Sequence, residues 1–338
     1  MILVTGGTGL VGSHILLEIL KTEETVKAIY RESSNVDHVK KVFSYYMPEE
    51  DAQKYFSRID WLIADLNDIP SLEKAFVGVK KVYHCAALVS FDSSLASKLR
   101  KVNIEGTANI ANLCIAHNIE KLCYISSIAT MDANVGDDFI SENFTWHPEK
   151  DHTEYAISKH GAEIEVWRAA QEGVPVIILN PGIIIGPGFW NKGSGEIFNR
   201  VHKGLKYHFP KITGFVGVRD VSRAAIQLML SPVKNEQYIL VAENLGFKEI
   251  LDKVAIELGK PKPASELKPW MITTGWLYQS FLSIFGGKKL LNKSDSRSLF
   301  ENAFYKNDKI VRELDFHFTP IKEVIEETAN FYKRNNSG

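Results

Sequence analysis

Cysteine is scarce in this chain. Cys85, Cys114 and Cys123 are the only three in 338 residues, and no C-x-x-C pair occurs. Such a set cannot form a disulfide framework, and its odd count fits reduced thiols in a cytosolic protein. Neither sign of charge is in excess: 40 Lys+Arg face 41 Asp+Glu, for a formal net charge of −1. That balance argues against a nucleic-acid-binding role. No basic segment, apolar stretch and small-residue cleavage site open the chain, so no targeting signal is expected. Long apolar runs are missing as well. Residues 269–287 carry no charge, but Pro, Gly, Ser and Thr interrupt them, whereas a membrane span wants about 20 predominantly apolar residues. The stretch reads as buried or interfacial. Metal-binding spacings such as H-x-x-x-H are also lacking, and His147, His152 and His160 read as surface or loop residues.

What is present is an ordinary globular composition, 45% hydrophobic and 24% charged, in a chain long enough for a large core. The first half alternates strand and helix patterns. Apolar runs at residues 2–5, 26–30, 60–64, 81–85, 121–125 and 174–179 read as six strands. Helical spacing occupies residues 10–21, 97–117 and 153–172. Short strands alternating with helices predict crossover units and a parallel sheet, an α/β doubly wound fold of Rossmann type. Continuous apolar strands fit a sheet covered on both faces. Beyond residue 180 the rhythm breaks into Gly- and Pro-rich loop. Helical patterns at 194–203 and 221–230, and a strand pattern at 237–241, follow it. The expected division is a dinucleotide-binding domain over 1–180, joined again by residues 215–242, and a smaller, mostly helical substrate-binding unit over 181–338.

The strongest motif is Thr5-Gly6-Gly7-Thr8-Gly9-Leu10-Val11-Gly12, between the first strand and the first helix. Glycines there let the backbone approach a pyrophosphate, and the helix N-terminus favours its charge. At the end of the second strand an NAD site wants an acid on the ribose 2′-hydroxyl. Tyr30 stands there instead, followed by Arg31 and two serines. This favours NADP(H), while Glu32 keeps NAD(H) open. Tyr155 and Lys159 are one helical turn apart and share a face. An ammonium beside the phenol is expected to lower its pKa and make Tyr155 a proton donor or acceptor. Ser126 and Ser127 end the fifth strand, where open α/β sheets bind ligands. Strand-end capping is assigned to Ser126, and contact with a substrate oxygen to Ser127. Cys85 reads as a small core residue.

Together these residues resemble the extended branch of the short-chain dehydrogenase/reductases, over nearly the whole chain. Asp65-Leu66-Asn67-Asp68 resembles that family's D-x-x-D, whose first Asp contacts adenine. His84-Cys85-Ala86-Ala87 resembles its fourth-strand motif lining the cofactor, and Asn103 its structural Asn. Asn180-Pro181-Gly182, running on into Ile183, resembles the loop that packs on nicotinamide. Within the branch, Tyr30-Arg31, Ser126-Ser127 without V-Y-G, and Asn180-Pro181 are most similar to dihydroflavonol-reductase-like NADPH-dependent carbonyl reductases. Sugar-nucleotide epimerases and dehydratases usually carry an acid at the Tyr30 position and V-Y-G after the Ser.

The resemblance implies that Ser127 binds a substrate carbonyl, Tyr155 protonates it after hydride transfer, and Lys159 holds the nicotinamide ribose. It also implies a homodimer through the helices before and around Tyr155. The expected activity is NADP(H)-dependent reduction of a ketone or aldehyde of an apolar small molecule. An NAD-dependent sugar-nucleotide epimerase or dehydratase is the alternative, and a dinucleotide-sensing protein without catalysis is a third. The aromatic set Phe189, Trp190, Trp270, Trp276, Tyr278, Phe281 and Phe285 reads first as core packing. A cap on an apolar pocket, or a membrane-surface contact through 269–287, is the functional alternative.

Overall fold

The structure is a computed structural model that describes residues 1–90, 92–268, 271 and 300–336. The expectations for 269–287 and for Trp270, Trp276, Tyr278, Phe281 and Phe285 therefore lie outside the described residues, Met271 apart. Among the described residues no helix is long and apolar enough to cross a membrane.

The strands are β1 (Ile2–Thr5), β2 (Val26–Tyr30), β3 (Ile59–Ile63), β4 (Lys81–His84), β5 (Lys121–Ile125), β6 (Val176–Pro181), β7 (Ile183–Ile185), β8 (Tyr207–His208), β9 (Ile212–Gly217), β10 (Glu236–Leu240), β11 (Glu243–Gly246) and β12 (Ser265–Glu266). The α-helices of the first half are α1 (Leu10–Ile19), α2 (Asp37–Phe43), α3 (Glu49–Phe56), α4 (Ile69–Phe76), α5 (Ala96–Arg100), α6 (Gly106–Ala116) and α7 (Glu154–Gln171). Those of the second half are α8 (Gly195–His202), α9 (Val218–Leu230), α10 (Phe247–Leu258), α11 (Asp308–Leu314) and α12 (Ile321–Asn336).

Seven strands form one sheet in the order β10-β6-β5-β4-β1-β2-β3, with every neighbouring pair parallel. The chain winds outward from β1 through β2 to β3, then returns to the other side through β4. That reversal leaves a crevice beyond the carboxyl ends of β1 and β4, where open α/β sheets take their ligands. Strands β5 and β6 are buried along their whole length, as both faces are covered. One face packs Ile15, Leu16, Val221 and Leu228 from α1 and α9. The other packs Ile110, Ala162 and Val166 from α6 and α7.

The stretch expected as one helix over 97–117 is three pieces: α5, a π-helical turn at Lys101–Glu105, and α6. The π turn carries Asn103, whose amide donates to the Leu88 carbonyl (3.0 Å) and Ser158 hydroxyl (2.9 Å) and accepts from the Leu88 N–H (2.7 Å). Widening the helix there aims the side chain at two neighbours at once, a common use of π-bulges at functional sites.

The chain leaves the large sheet after β6. Strands β11, β9 and β7 make a second sheet, with β9 antiparallel to β11 and parallel to β7. Its core of Phe198, Phe215, Ile250, Ile325 and Tyr332 joins α8, α10 and α12, with Trp190 packed against it. The return to the large sheet comes through α9 and β10. Residues 215–217, the start of the segment read as returning, lie in β9 and stay in the small sheet.

Asp220 of α9 holds that arrangement together. Its carboxylate accepts from the Thr319 N–H (2.8 Å), the Thr319 hydroxyl (3.0 Å) and Arg223 (2.6 Å). Replacing Asp220 by Ala would strand the Thr319 N–H and should cost about 1–3 kcal/mol. Urea unfolding measures this, and an unchanged midpoint would contradict it.

Candidate active site

At the crevice, the loop between β1 and α1 is built from close backbone contacts. Gly6 adopts φ +67°, and a Cβ on it would lie 2.6 Å from the Ala86 nitrogen. A Cβ on Gly12 would lie 2.2 Å from the Gly6 carbonyl oxygen. These contacts fold the loop tightly against Ala86, beside the end of β4. Gly9 is the N-cap of α1, with no side-chain cap and no acid in the first turn. The first N–H groups of α1, over Leu10 and Val11, therefore lack a side-chain acceptor, which fits an incoming phosphate. Thr8 sits partly buried within the same turn.

Around the cradle stand the other expected cofactor positions. Tyr30 ends β2 and meets the Trp61 ring edge-on at 5.8 Å. Arg31 and Glu32 follow it, both exposed, in a turn closed by the Ser34 N–H on the Arg31 carbonyl (2.7 Å). Asp65 is exposed and accepts the Asn67 N–H (2.9 Å), while Leu66 is buried beneath Gly106. The Ala86 N–H donates to the Thr5 hydroxyl (3.2 Å), and Ala87 is exposed. Pro181 closes β6, Gly182 presses on the Gly214 carbonyl, and Ile183 opens β7.

Ser127, Tyr155 and Lys159 converge at the end of β5. The Ser127 side chain lies close enough to the Tyr155 phenol to favour its ionised form. Ser127 also accepts the Ala129 N–H (3.1 Å), so the capping role assigned to Ser126 belongs to Ser127. The side chain that caps the turn is thereby held where it meets Tyr155, and Ser126 is buried. Tyr155 and Lys159 lie on α7, which the Thr153 hydroxyl caps by accepting the Ala156 N–H (3.2 Å). Lys159 is 1% exposed. Its ammonium donates to the Ile125 carbonyl (2.7 Å) and sits 4.2 Å from the Tyr124 ring centre.

The expected lowering of the phenol pKa does not occur. Burial pushes Tyr155 up to about 12, and the Ser127 side chain offsets only part of that. Lys159 is aimed at Ile125 and Tyr124, and burial lowers its own pKa to about 7. Desolvation disfavours charge on both groups and outweighs their mutual effect. Tyr155 therefore holds its proton near neutral pH, as a proton donor must. Burial likewise raises the Cys85 thiol to about 12, so it stays a neutral thiol. Among the described residues no group of three potential metal-binding side chains assembles. His152 and His160 instead stack on opposite faces of Trp146, at 3.7 and 4.1 Å between ring centres.

Two further buried side chains brace the site, His84 from the fourth-strand motif and Glu163 from outside any motif. His84 bridges the Thr5 hydroxyl (2.6 Å) and the Thr107 hydroxyl (3.0 Å) and stacks on Tyr124, opposite in role to a surface histidine. Glu163, four residues after Lys159, is buried beside Thr130 and Asn180. Only its helical phase, i+4 from Lys159 and i+8 from Tyr155, signals it in the sequence.

The buried lysine gives a testable sign. Between about pH 7 and 10.5 the unfolded chain keeps a proton on Lys159 that the folded protein releases, so stability rises with pH. Relative to Lys159→Met, the wild type should gain up to about 1.4 kcal/mol per pH unit above pH 7. A pH-independent difference in urea unfolding would refute this.

Comparisons with known proteins agree with the geometry. A family model for NAD-binding proteins, described as "Male sterility protein", matches residues 4–219. A Synechocystis sp. protein, named provisionally as a dihydroflavonol 4-reductase, is 26% identical over 98% of this chain and 94% of its own. Tetraketide alpha-pyrone reductase 2 of Arabidopsis thaliana is 27% identical over 74% of this chain and 80% of its own. The crystal structure of a dTDP-glucose 4,6-dehydratase from Streptomyces venezuelae with NAD bound superposes with a TM-score of 0.78. It is 18% identical and covers 99% of this chain and 98% of that one, a likeness of fold. The chain belongs to this NAD-binding family, within the extended short-chain dehydrogenase/reductases, and is an NAD(P)-dependent enzyme of that type.

Proposed function

We propose that the protein is an NADP(H)-dependent reductase of a ketone or aldehyde borne by an apolar small molecule. The observation that carries this reading is the Ser127–Tyr155 hydroxyl pair, with a phenol that keeps its proton at neutral pH. A substrate carbonyl oxygen placed against the pair receives two hydrogen bonds. Reduced nicotinamide supplies the hydride when bound. As the carbonyl carbon is reduced, negative charge develops on its oxygen. Ser127 stabilises that charge, and the Tyr155 proton moves to it, leaving an alcohol and a phenolate that solvent reprotonates. Lys159 is assigned, on the family resemblance, to favour the transient phenolate and to hold the nicotinamide ribose.

The preference for NADP(H) is supported by Arg31, exposed at the end of β2 with Ser33 and Ser34 beside it and no acid at Tyr30. The apolar character of the substrate is supported by the likeness to dihydroflavonol 4-reductase- and tetraketide alpha-pyrone reductase-named proteins. Two reductases among the similar proteins fit the same direction of chemistry. The small sheet and its helices stand as the unit that shapes the substrate pocket.

The reading is tested by titrating NADPH and NADH, then screening ketones and aldehydes for NADPH oxidation. Tyr155→Phe should lower kcat by about 10²-fold or more while leaving the NADPH Kd within about threefold. Turnover unaffected by Tyr155→Phe would sink the mechanism. Arg31→Ala should weaken NADPH binding by about tenfold relative to NADH, as loss of a charged phosphate contact implies. Equal loss for both cofactors would remove the basis for NADP(H). Cofactor that stays bound and is not consumed would instead support the epimerase reading.

A further inference from the structure

The site is carried by pieces of chain that are far apart in sequence: the turn after β5, helix α7 and the end of β6. One buried side chain touches them all. Glu163 is 2% exposed, two turns along α7 from Tyr155. Its Oε1 accepts from the Asn180 amide (2.7 Å) on β6 and lies 2.9 Å from the Thr130 hydroxyl. Both donors also reach the Ser127 carbonyl, Thr130 at 2.9 Å and Asn180 at 3.0 Å. Gln237 of β10 closes the group by donating to the Asn180 side-chain oxygen, Oδ1 (2.8 Å).

We propose that Glu163 is the positioning residue that holds Ser127 in register with Tyr155 and Lys159. A carboxylate this deep in the fold is tolerated only with its lone pairs occupied. Its acceptor oxygen takes one hydrogen of the Asn180 amide, whose other hydrogen is directed at the Ser127 carbonyl, while the single Thr130 proton is shared between Glu163 Oε1 and that carbonyl. That grip on the backbone sets where the Ser127 hydroxyl points. Because Glu163 shares α7 with Tyr155 and Lys159, the same carboxylate ties the Ser127 turn to the helix that presents the other two. Asn180 extends the tie to Pro181 and Gly182, the loop beside the cofactor crevice. Hydrogen-bond acceptance does this work, so an amide of the same shape can replace the carboxylate.

The proposal takes its turnover readout from the reductase reading. NADPH and the best carbonyl compound of the screen serve as probes. Glu163→Gln, which keeps an acceptor oxygen, should retain kcat within about threefold, whereas Glu163→Ala should lose about 10- to 100-fold in kcat with the NADPH Kd unchanged. Equal losses in the two variants, or wild-type kcat in Glu163→Ala, would overturn it. If Glu163→Ala does not fold, Thr130→Val tests the same link, with a loss of about three- to tenfold in kcat measured on the folded variant. An undiminished kcat in that variant overturns the claim. Should the wild type reduce no carbonyl, the reductase reading fails by itself and amide exchange decides on Glu163. The N–H groups of Ala129, Thr130 and Met131 should then exchange about tenfold faster in Glu163→Ala or Thr130→Val and at the wild-type rate in Glu163→Gln. Unaltered exchange in every variant would refute the positioning role.

Discussion

The hydrogen bond from the Lys159 ammonium to the Ile125 carbonyl joins helix α7 to the end of β5, and the site is arranged around it. A lysine so deeply buried needs its charge answered locally. The last carbonyl of β5 and the face of Tyr124 answer it, and both lie where the sheet opens to its ligand crevice. The constraint reaches outward from there. Tyr124 is pinned from its ring by His84, and His84 by hydroxyls of β1 and α6. Tyr155, one turn before Lys159, is thereby delivered to Ser127.

Desolvation decides the protonation states. The same burial that lowers Lys159 raises Tyr155, so a neutral phenol shares its helix with a lysine poised near neutrality. Protonated phenol is the form that donates to a developing alkoxide. An exposed Tyr/Lys pair with the same spacing would have an ordinary phenol and an ordinary ammonium. Spacing along the helix supplies the pair, and depth within the fold supplies its chemistry.

Much of the fold is legible in the sequence because each strand of the large sheet is an apolar run bounded by turn residues. The expected strands agree with β1, β2 and β5 at both ends, and with β3 and β4 within one residue. The last of the six, expected at 174–179, begins at Val176 and runs on to Pro181. Residue periodicity does not show the π turn at Lys101–Glu105, since its register shift depends on Asn103 finding Leu88 and Ser158. The glycine loop, Ser127, Tyr155 and Lys159 are visible as a pattern of residue types. Glu163 and Thr130 are not, because a Glu in a helix and a Thr in a turn become a network only when β6 brings Asn180, visible only as part of its loop motif, between them.

By itself the sequence determined the alternation of strands and helices, the glycine cradle and the residue types at the site. Those follow from local rules: period, turn chemistry and the absence of side chains where backbones must meet. Tertiary structure alone decided that Ser127 caps its own turn, that Tyr155 keeps its proton, and that a carboxylate two turns away meets the Thr130 and Asn180 groups that reach the Ser127 carbonyl. Each depends on desolvation and on contacts between segments dozens of residues apart. Those are properties of the folded surroundings, and no local stretch of chain contains them.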